Sequence, residues 1–296
     1  PTLFRCKNDP DPKNCDIALV GIPHSTGNGT TERDQHLGPR AVRNISAMLR
    51  RSHFDFKIDP WKTNKIHDLG DVPLPEANDN EKCIERISKF YDFIEQAEKP
   101  VVSIGGDHSI TGGIIQSLAK KNSKLTKGKK ITLVHFDAHT DCFEKLDHFL
   151  GAKKSAAHWA SYLVKQGNVD PHTSTQIGIR GNPRTLDWLQ ASYDVGYQVI
   201  TMDEFRSLGQ KKCSEMIIDK FSDNPIYITF DLDCLDPSVA PGVANIEPAY
   251  NGFNMDEVRK LLQSLKGKNV IGGDVVCLMP TLSLIHISEP TRLHGI

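Results

Sequence analysis

Eight short runs rich in valine and isoleucine recur along this 296-residue chain, with helical patterns between several of them. They are Ile17 to Ile22, Ile66 to Leu69, Val101 to Ile104, Ile131 to Phe136, Gln176 to Ile179, Gln198 to Met202, Ile226 to Phe230 and Val270 to Val276. Runs of this composition fit strands buried on both faces. Residues 82–97 place Ile84, Ile87, Phe90, Tyr91 and Ile94 at helical spacing, and residues 255–265 do the same with Val258, Leu261, Leu262 and Leu265. Asn254 followed by Glu257 matches a capping box at the start of the second helix. Strands alternating with helices predict an α/β fold with a mostly parallel sheet covered on both faces.

Two of the runs end in acidic residues and histidines. Ile131 to Asp141 reads ITLVHFDAHTD, and Ile226 to Asp233 reads IYITFDLD. If each strand continues to its motif, residues two apart project together. That gathers Asp137, His139 and Asp141, and separately Asp231 with Asp233. Four carboxylates in one place repel one another unless cations lie between them. Two divalent ions would neutralise them, at the strand ends where open parallel sheets place their sites. A third run, PVVSIGGDHS, sets Gly105 and Gly106 just before His108. The glycines permit a tight turn that leaves His108 near a strand end.

Composition narrows the partners. A net charge of −1 gives no footprint for nucleic acid or an anionic membrane. No apolar run approaches the roughly 18 residues a membrane span needs. The seven cysteines are scattered without a CxxC pair, which fits free thiols in a reducing compartment. No signal peptide is visible, so a cytoplasmic location is expected, with a mitochondrial one also compatible.

Taken together, GGDHS, HFDAHTD and TFDLDCLDPSVAPG resemble the ureohydrolases, the family of arginase, agmatinase and formimidoylglutamase. The resemblance extends to VGIP, to LGPRAVR at Leu37 to Arg43, to TQIGIRG at Thr175 to Gly181 and to GGDVV at Gly272 to Val276. It is nearer the agmatinase branch. It implies a three-layer α/β/α fold and two Mn²⁺ ions per subunit. One ion would take His108, Asp137, Asp141 and Asp231; the other would take His139, Asp137, Asp231 and Asp233. Nickel, cobalt and zinc satisfy the same ligand types. Two such ions about 3.5–4 Å apart can share a water and make it a hydroxide near neutral pH. The implied reaction is hydrolysis of a C–N bond in a small cationic guanidino compound, releasing urea. Agmatine, guanidinobutyrate, guanidinopropionate and guanidine are the candidate substrates. Asp141 and His158, in SAAHWASYL, are the catalytic candidates; His158 matches the family's proton-shuttle histidine, and His148 is its rival. A homo-oligomer, trimer or hexamer, is implied as well.

One position departs from the family pattern. Cys277 stands where ureohydrolases usually carry an acid that pairs with the guanidinium. Losing one partner of a buried charge pair costs about 3–5 kcal/mol. Glu247 compensates if it turns inward, so Glu247 and Cys277 are the candidate substrate-binding residues. The segment Ala244 to Phe253 also lacks the family's glycine pair. Formimidoylglutamase, or a metal-binding relative without turnover, is the rival reading. Arg40 and Arg43 are expected to form structural ion pairs, and Asp236 to set a turn. The loop from Ser25 to Arg33, with His24, is expected to border the site. Residues 1–281 are expected to form one catalytic domain lacking its native start and closing helix. Residues 282–296 are expected to be a non-native tail, because Ser283 to Arg292 resembles translated sequencing-adapter sequence.

Overall fold

A computed structural model describes residues 1–28, 33–148, 151–183, 185–247 and 251–282. Nine strands form one sheet: β1 (Lys7–Asn8), β2 (Ile17–Gly21), β3 (Ile66–Asp71), β4 (Val101–Ile104), β5 (Thr132–Phe136), β6 (Thr175–Ile179), β7 (Gln198–Thr201), β8 (Ile226–Asp231) and β9 (Val270–Val276). Their order is β1-β3-β2-β4-β9-β8-β5-β6-β7, and every neighbouring pair is parallel. The eight expected strands are all present. The two-residue β1 carries no apolar run, and only its pairing with β3 makes it a strand.

The helices are α1 (Gly38–Ser46), α2 (Pro60–Thr63), α3 (Asn80–Gln96), α4 (Ile110–Leu118) and α5 (Trp159–Lys165). They are followed by α6 (Gln190–Val195), α7 (Met202–Leu208), α8 (Gln210–Asp219) and α9 (Met255–Ser264). The capping box of α9 forms as its sequence predicts: Asn254 accepts from Glu257 N, and the Glu257 carboxylate accepts from Asn254 N. No helix among the described residues is long and apolar enough to cross a membrane.

Strand alternation divides the core into two layers. In β2, Ala18 and Val20 join α3 and α4 in one cluster, while Leu19 turns to another with Leu3 and Trp61. In β5, Leu133 packs toward Trp159 of α5, whereas Val134 and Phe136 pack toward α8 and α9. Helices therefore cover both faces, giving the three-layer α/β/α architecture. All seven cysteines are buried and free. Arg43 pairs with Asp68 at 3.1 Å and also with Asp71, as its expected structural role requires. Arg40 is exposed. Asp236 sets a turn by accepting from Ser238 N and Oγ. Of the expected tail, only Leu282 is described, packed against the core; residues 283–296 lie outside the described residues.

Candidate metal centre

The central strands β4, β9, β8 and β5 end side by side, and the loops after them converge. After β4, Gly106 approaches His24 so closely that a Cβ there would lie 2.2 Å from its carbonyl oxygen. Asp107 then accepts from Ser109 N and Gly27 N, which fixes the turn carrying His108. After β5, Asp137, His139 and Asp141 follow in a loop. Alternation along a continuous strand is not what gathers them, because β5 ends at Phe136. The Asp137 carboxylate accepts from His139 N, and Asp141 adopts a left-handed backbone with φ +47°. That conformation costs an L-residue about 1–3 kcal/mol. At the end of β8, Asp231 caps the 3-10 turn Leu232–Cys234 by accepting from Asp233 N.

All six expected metal ligands meet. Nδ1 of His108 lies 2.9 Å from Asp137 Oδ2, 3.0 Å from Asp141 Oδ2 and 3.2 Å from Asp231 Oδ2. Nδ1 of His139 lies 3.0 Å from Asp233 Oδ2 and 3.4 Å from Asp137 Oδ1. Asp137 thus presents one oxygen to each histidine. His108 Nδ1 and Asp233 Oδ2 are buried, and neither has a hydrogen-bond partner among the described residues. Buried polar atoms are rarely left so. With Nε2–H given to Thr229, His108 Nδ1 carries a lone pair, as Asp233 Oδ2 does, and two orphaned lone-pair donors that each face further carboxylates fit a pair of shared cations. Carboxylate and imidazole donors suit a hard or borderline divalent ion.

Electrostatics lead to the same conclusion. Burial, then repulsion from Asp137, raises the pKa of Asp231; burial with Asp231 and Asp137 raises that of Asp233 far more. Burial opposes charge on His108 and His139, yet the surrounding carboxylates outweigh it and hold both well above the usual imidazole range. Protons kept on these four groups would offset part of the negative charge in the absence of cations.

Further residues aim the ligands. His135 lies within the same group of possible ligands as His108, Asp137 and Asp141, and both its ring nitrogens are engaged in hydrogen bonds. Gln176 Nε2 donates to its Nδ1 at 3.1 Å, leaving Nε2–H to donate to Asp137 Oδ2 at 2.8 Å. His108 Nε2 donates to Thr229 Oγ1 at 2.8 Å, and Thr229 donates to Asp274 at 2.6 Å. The Trp159 indole donates to Asp141 Oδ2 at 2.8 Å, its ring packed on His108 and His135. Arg180 ties down the turn bearing Asp233 by donating to the carbonyls of Asp233, Cys234 and Leu235. Histidine two residues before Asp137 was a visible signal. Nothing in the sequence identified the Trp159 contact.

A cavity of about 380 Å³ opens above this floor, and Asn28, Asp141, Arg180, Asp231, Glu247 and Cys277 are among its lining. Cys277 leaves β9 with φ +67°, and its buried thiol lines the cavity. Glu247 is turned inward and accepts from His139 Nε2 at 2.9 Å. His158 sits behind the wall: its Nδ1 meets Ser155 Oγ at 2.6 Å, and its Nε2 accepts from Leu146 N at 3.3 Å. Burial lowers its pKa. His148 Nε2 is likewise bonded, to Asn28 O at 2.8 Å. Within the expected bordering loop, Asn28 lines the cavity, His24 is buried against Asn80, and residues 29–32 lie outside the described residues.

A family model described as the arginase family matches residues 15–289. The guanidinopropionase of Pseudomonas aeruginosa is 32% identical over 95% of this chain and 84% of its own length. An agmatinase of Photorhabdus laumondii is 30% identical over 99% of this chain and 87% of its own. Among solved structures, the proclavaminate amidino hydrolase from Streptomyces clavuligerus superposes with a TM-score of 0.85 at 28% identity, covering 95% of this chain and 89% of that one.

Proposed function

The chain belongs to the arginase family, and from that premise we propose that it hydrolyses a C–N bond of a small guanidino compound and releases urea. The observation that carries this reading is the paired cradle under the cavity. His108, Asp137, Asp141 and Asp231 form one half, and Asp137, His139 and Asp233 the other. Two Mn²⁺ ions are the proposed occupants. When bound, they supply a water acidic enough to attack at neutral pH.

The protein's own groups do the rest. Two divalent ions would offset the four aspartates, and Glu247 leaves the cavity floor net negative, which complements a cationic guanidinium. Cys277 and Glu247 border the space in which the substrate lies. Burial pushes the Cys277 thiol well above the ordinary range, so it stays neutral. Asp141, held by Trp159, would take a proton from the attacking water and pass it to the leaving nitrogen. His158 takes that role only if its Nε2 gives up Leu146 N and the loop brings it to the cavity. As in its relatives by resemblance, the chain is proposed to work as a trimer or hexamer.

The test is a urea-release screen of manganese-loaded protein against agmatine, guanidinobutyrate, guanidinopropionate and guanidine. Formimidoylglutamate, followed by formamide, serves as a control. Urea from one guanidino compound supports the reading. Formamide alone, or no product from any of them, contradicts it.

A further inference from the structure

The segment after β8 turns back over the metal centre along a path set by its backbone. Ala244 N donates to Cys277 O at 2.9 Å, and Met279 N donates to Gly242 O at 2.8 Å, so residues 242–244 lie along the exit of β9. Asn245 then takes a left-handed backbone with φ +53°, and the chain reverses toward β6. This reversal carries Glu247 over Gly181, just beyond the end of β6. A Cβ at Gly181 would lie 2.1 Å from Glu247 Oε2 and 2.2 Å from its carboxyl carbon. Gly181 also has φ +101°, a conformation that favours glycine. The missing side chain at position 181 leaves the space that the Glu247 carboxylate fills.

From there, Glu247 Oε1 lies 2.9 Å from Nε2 of His139, while Nδ1 of the same ring faces Asp233 and Asp137. His139 is the more exposed of the two cradle histidines, with 28% of its side chain accessible against 1% for His108. His108 is held from behind by Thr229. Among the described residues, Glu247 is the group that holds His139 in the same way.

We propose that Glu247 is a positioning residue for the metal centre. It keeps the Nε2 proton of His139 in place, so that the Nδ1 lone pair points between Asp137 and Asp233. Gly181 is the complementary device that lets the carboxylate in. An orienting carboxylate behind a ligating histidine also raises the ligand's basicity. The inference rests on the proposed two-ion function, but it assigns Glu247 to the second ion instead of to the substrate.

The experiment titrates metal-free wild type, Glu247→Ala and Glu247→Gln with Mn²⁺ by calorimetry, and with Co²⁺ by visible absorption. Wild type is expected to take two ions. Glu247→Ala is expected to weaken one of them by about 10–100-fold and change the Co²⁺ spectrum, leaving the other ion unchanged. Glu247→Gln keeps the shape and an acceptor oxygen, and is expected to recover most of the lost affinity. If Glu247→Ala binds both ions as wild type does, with the same spectrum and only a raised KM, Glu247 is a substrate ligand and the proposal falls. An equal weakening of both ions in both variants also overturns it. A wild type that binds fewer than two ions overturns the proposed function as well, so the two failures are distinguishable.

Discussion

Trp159 donates its indole N–H to Oδ2 of Asp141 over 2.8 Å, and that same oxygen lies 3.0 Å from Nδ1 of His108. A residue at the first position of a helix on one face of the sheet therefore sets the direction of a ligand carried by a loop at its edge. Asp141 needs this restraint, because its left-handed backbone leaves no strand geometry to aim it. Replacing Trp159 with Phe keeps the ring against His108 and His135 and removes the donor. Loss of such an outer partner is expected to lower metal affinity or activity by about 10–100-fold. Mn²⁺ titration and steady-state urea release check this, with circular dichroism confirming the fold.

Metal binding should depend steeply on pH. Without metal, Asp231 and Asp233 keep their protons above the usual carboxylate range, and His108 and His139 keep theirs above the usual imidazole range. An ion must displace those protons, so affinity rises with pH. It is expected to climb from above the ordinary carboxylate pKa and to level off only above the raised histidine values. As pH falls through this window, the ions are lost. Calorimetry in buffers of different protonation enthalpy measures the release directly; a flat affinity with no proton release contradicts the account.

Away from the site, Arg43 lies between α1 and β3, paired with a nearly fully buried Asp68 whose carboxylate also accepts from Leu3 N at 2.8 Å. Burial works against charge on both groups, but their mutual contacts outweigh it, lowering the Asp68 pKa and raising that of Arg43. Arg43→Ala leaves that carboxylate without its cation and is expected to destabilise the protein by about 3–5 kcal/mol. Because the folded Asp68 pKa is depressed, the pair's stabilisation is present above the ordinary aspartate pKa and is lost as pH falls through the depressed value. Denaturant unfolding of the wild type and the variant at neutral and acidic pH measures both effects.

The sheet and the convergence of the six candidate ligands were legible because each depends on a local pattern. Val- and Ile-rich runs make buried strands whatever surrounds them, and GGDHS, HFDAHTD and DLDC bring their own loop chemistry. Strand alternation explains the convergence only in part. Asp231 closes β8, but Asp137, His139 and Asp141 lie beyond β5 and are gathered by a turn and a positive φ. The orientation of His158 was not legible, since it depends on Ser155 and on the backbone of Leu146 in a loop without periodicity. Glu247 was legible only as an acid that would compensate if it turned inward. Its contact with His139 was not, because it depends on a cleft left by Gly181, 66 positions away in the chain.

The most direct measurement is a titration of metal-free protein with Mn²⁺, counting ions bound per chain. The account expects saturation at two, with both lost when Asp137, whose oxygens face both histidines, is changed to Ala. Saturation at none or at one, or an Asp137→Ala variant that still holds two, would contradict it.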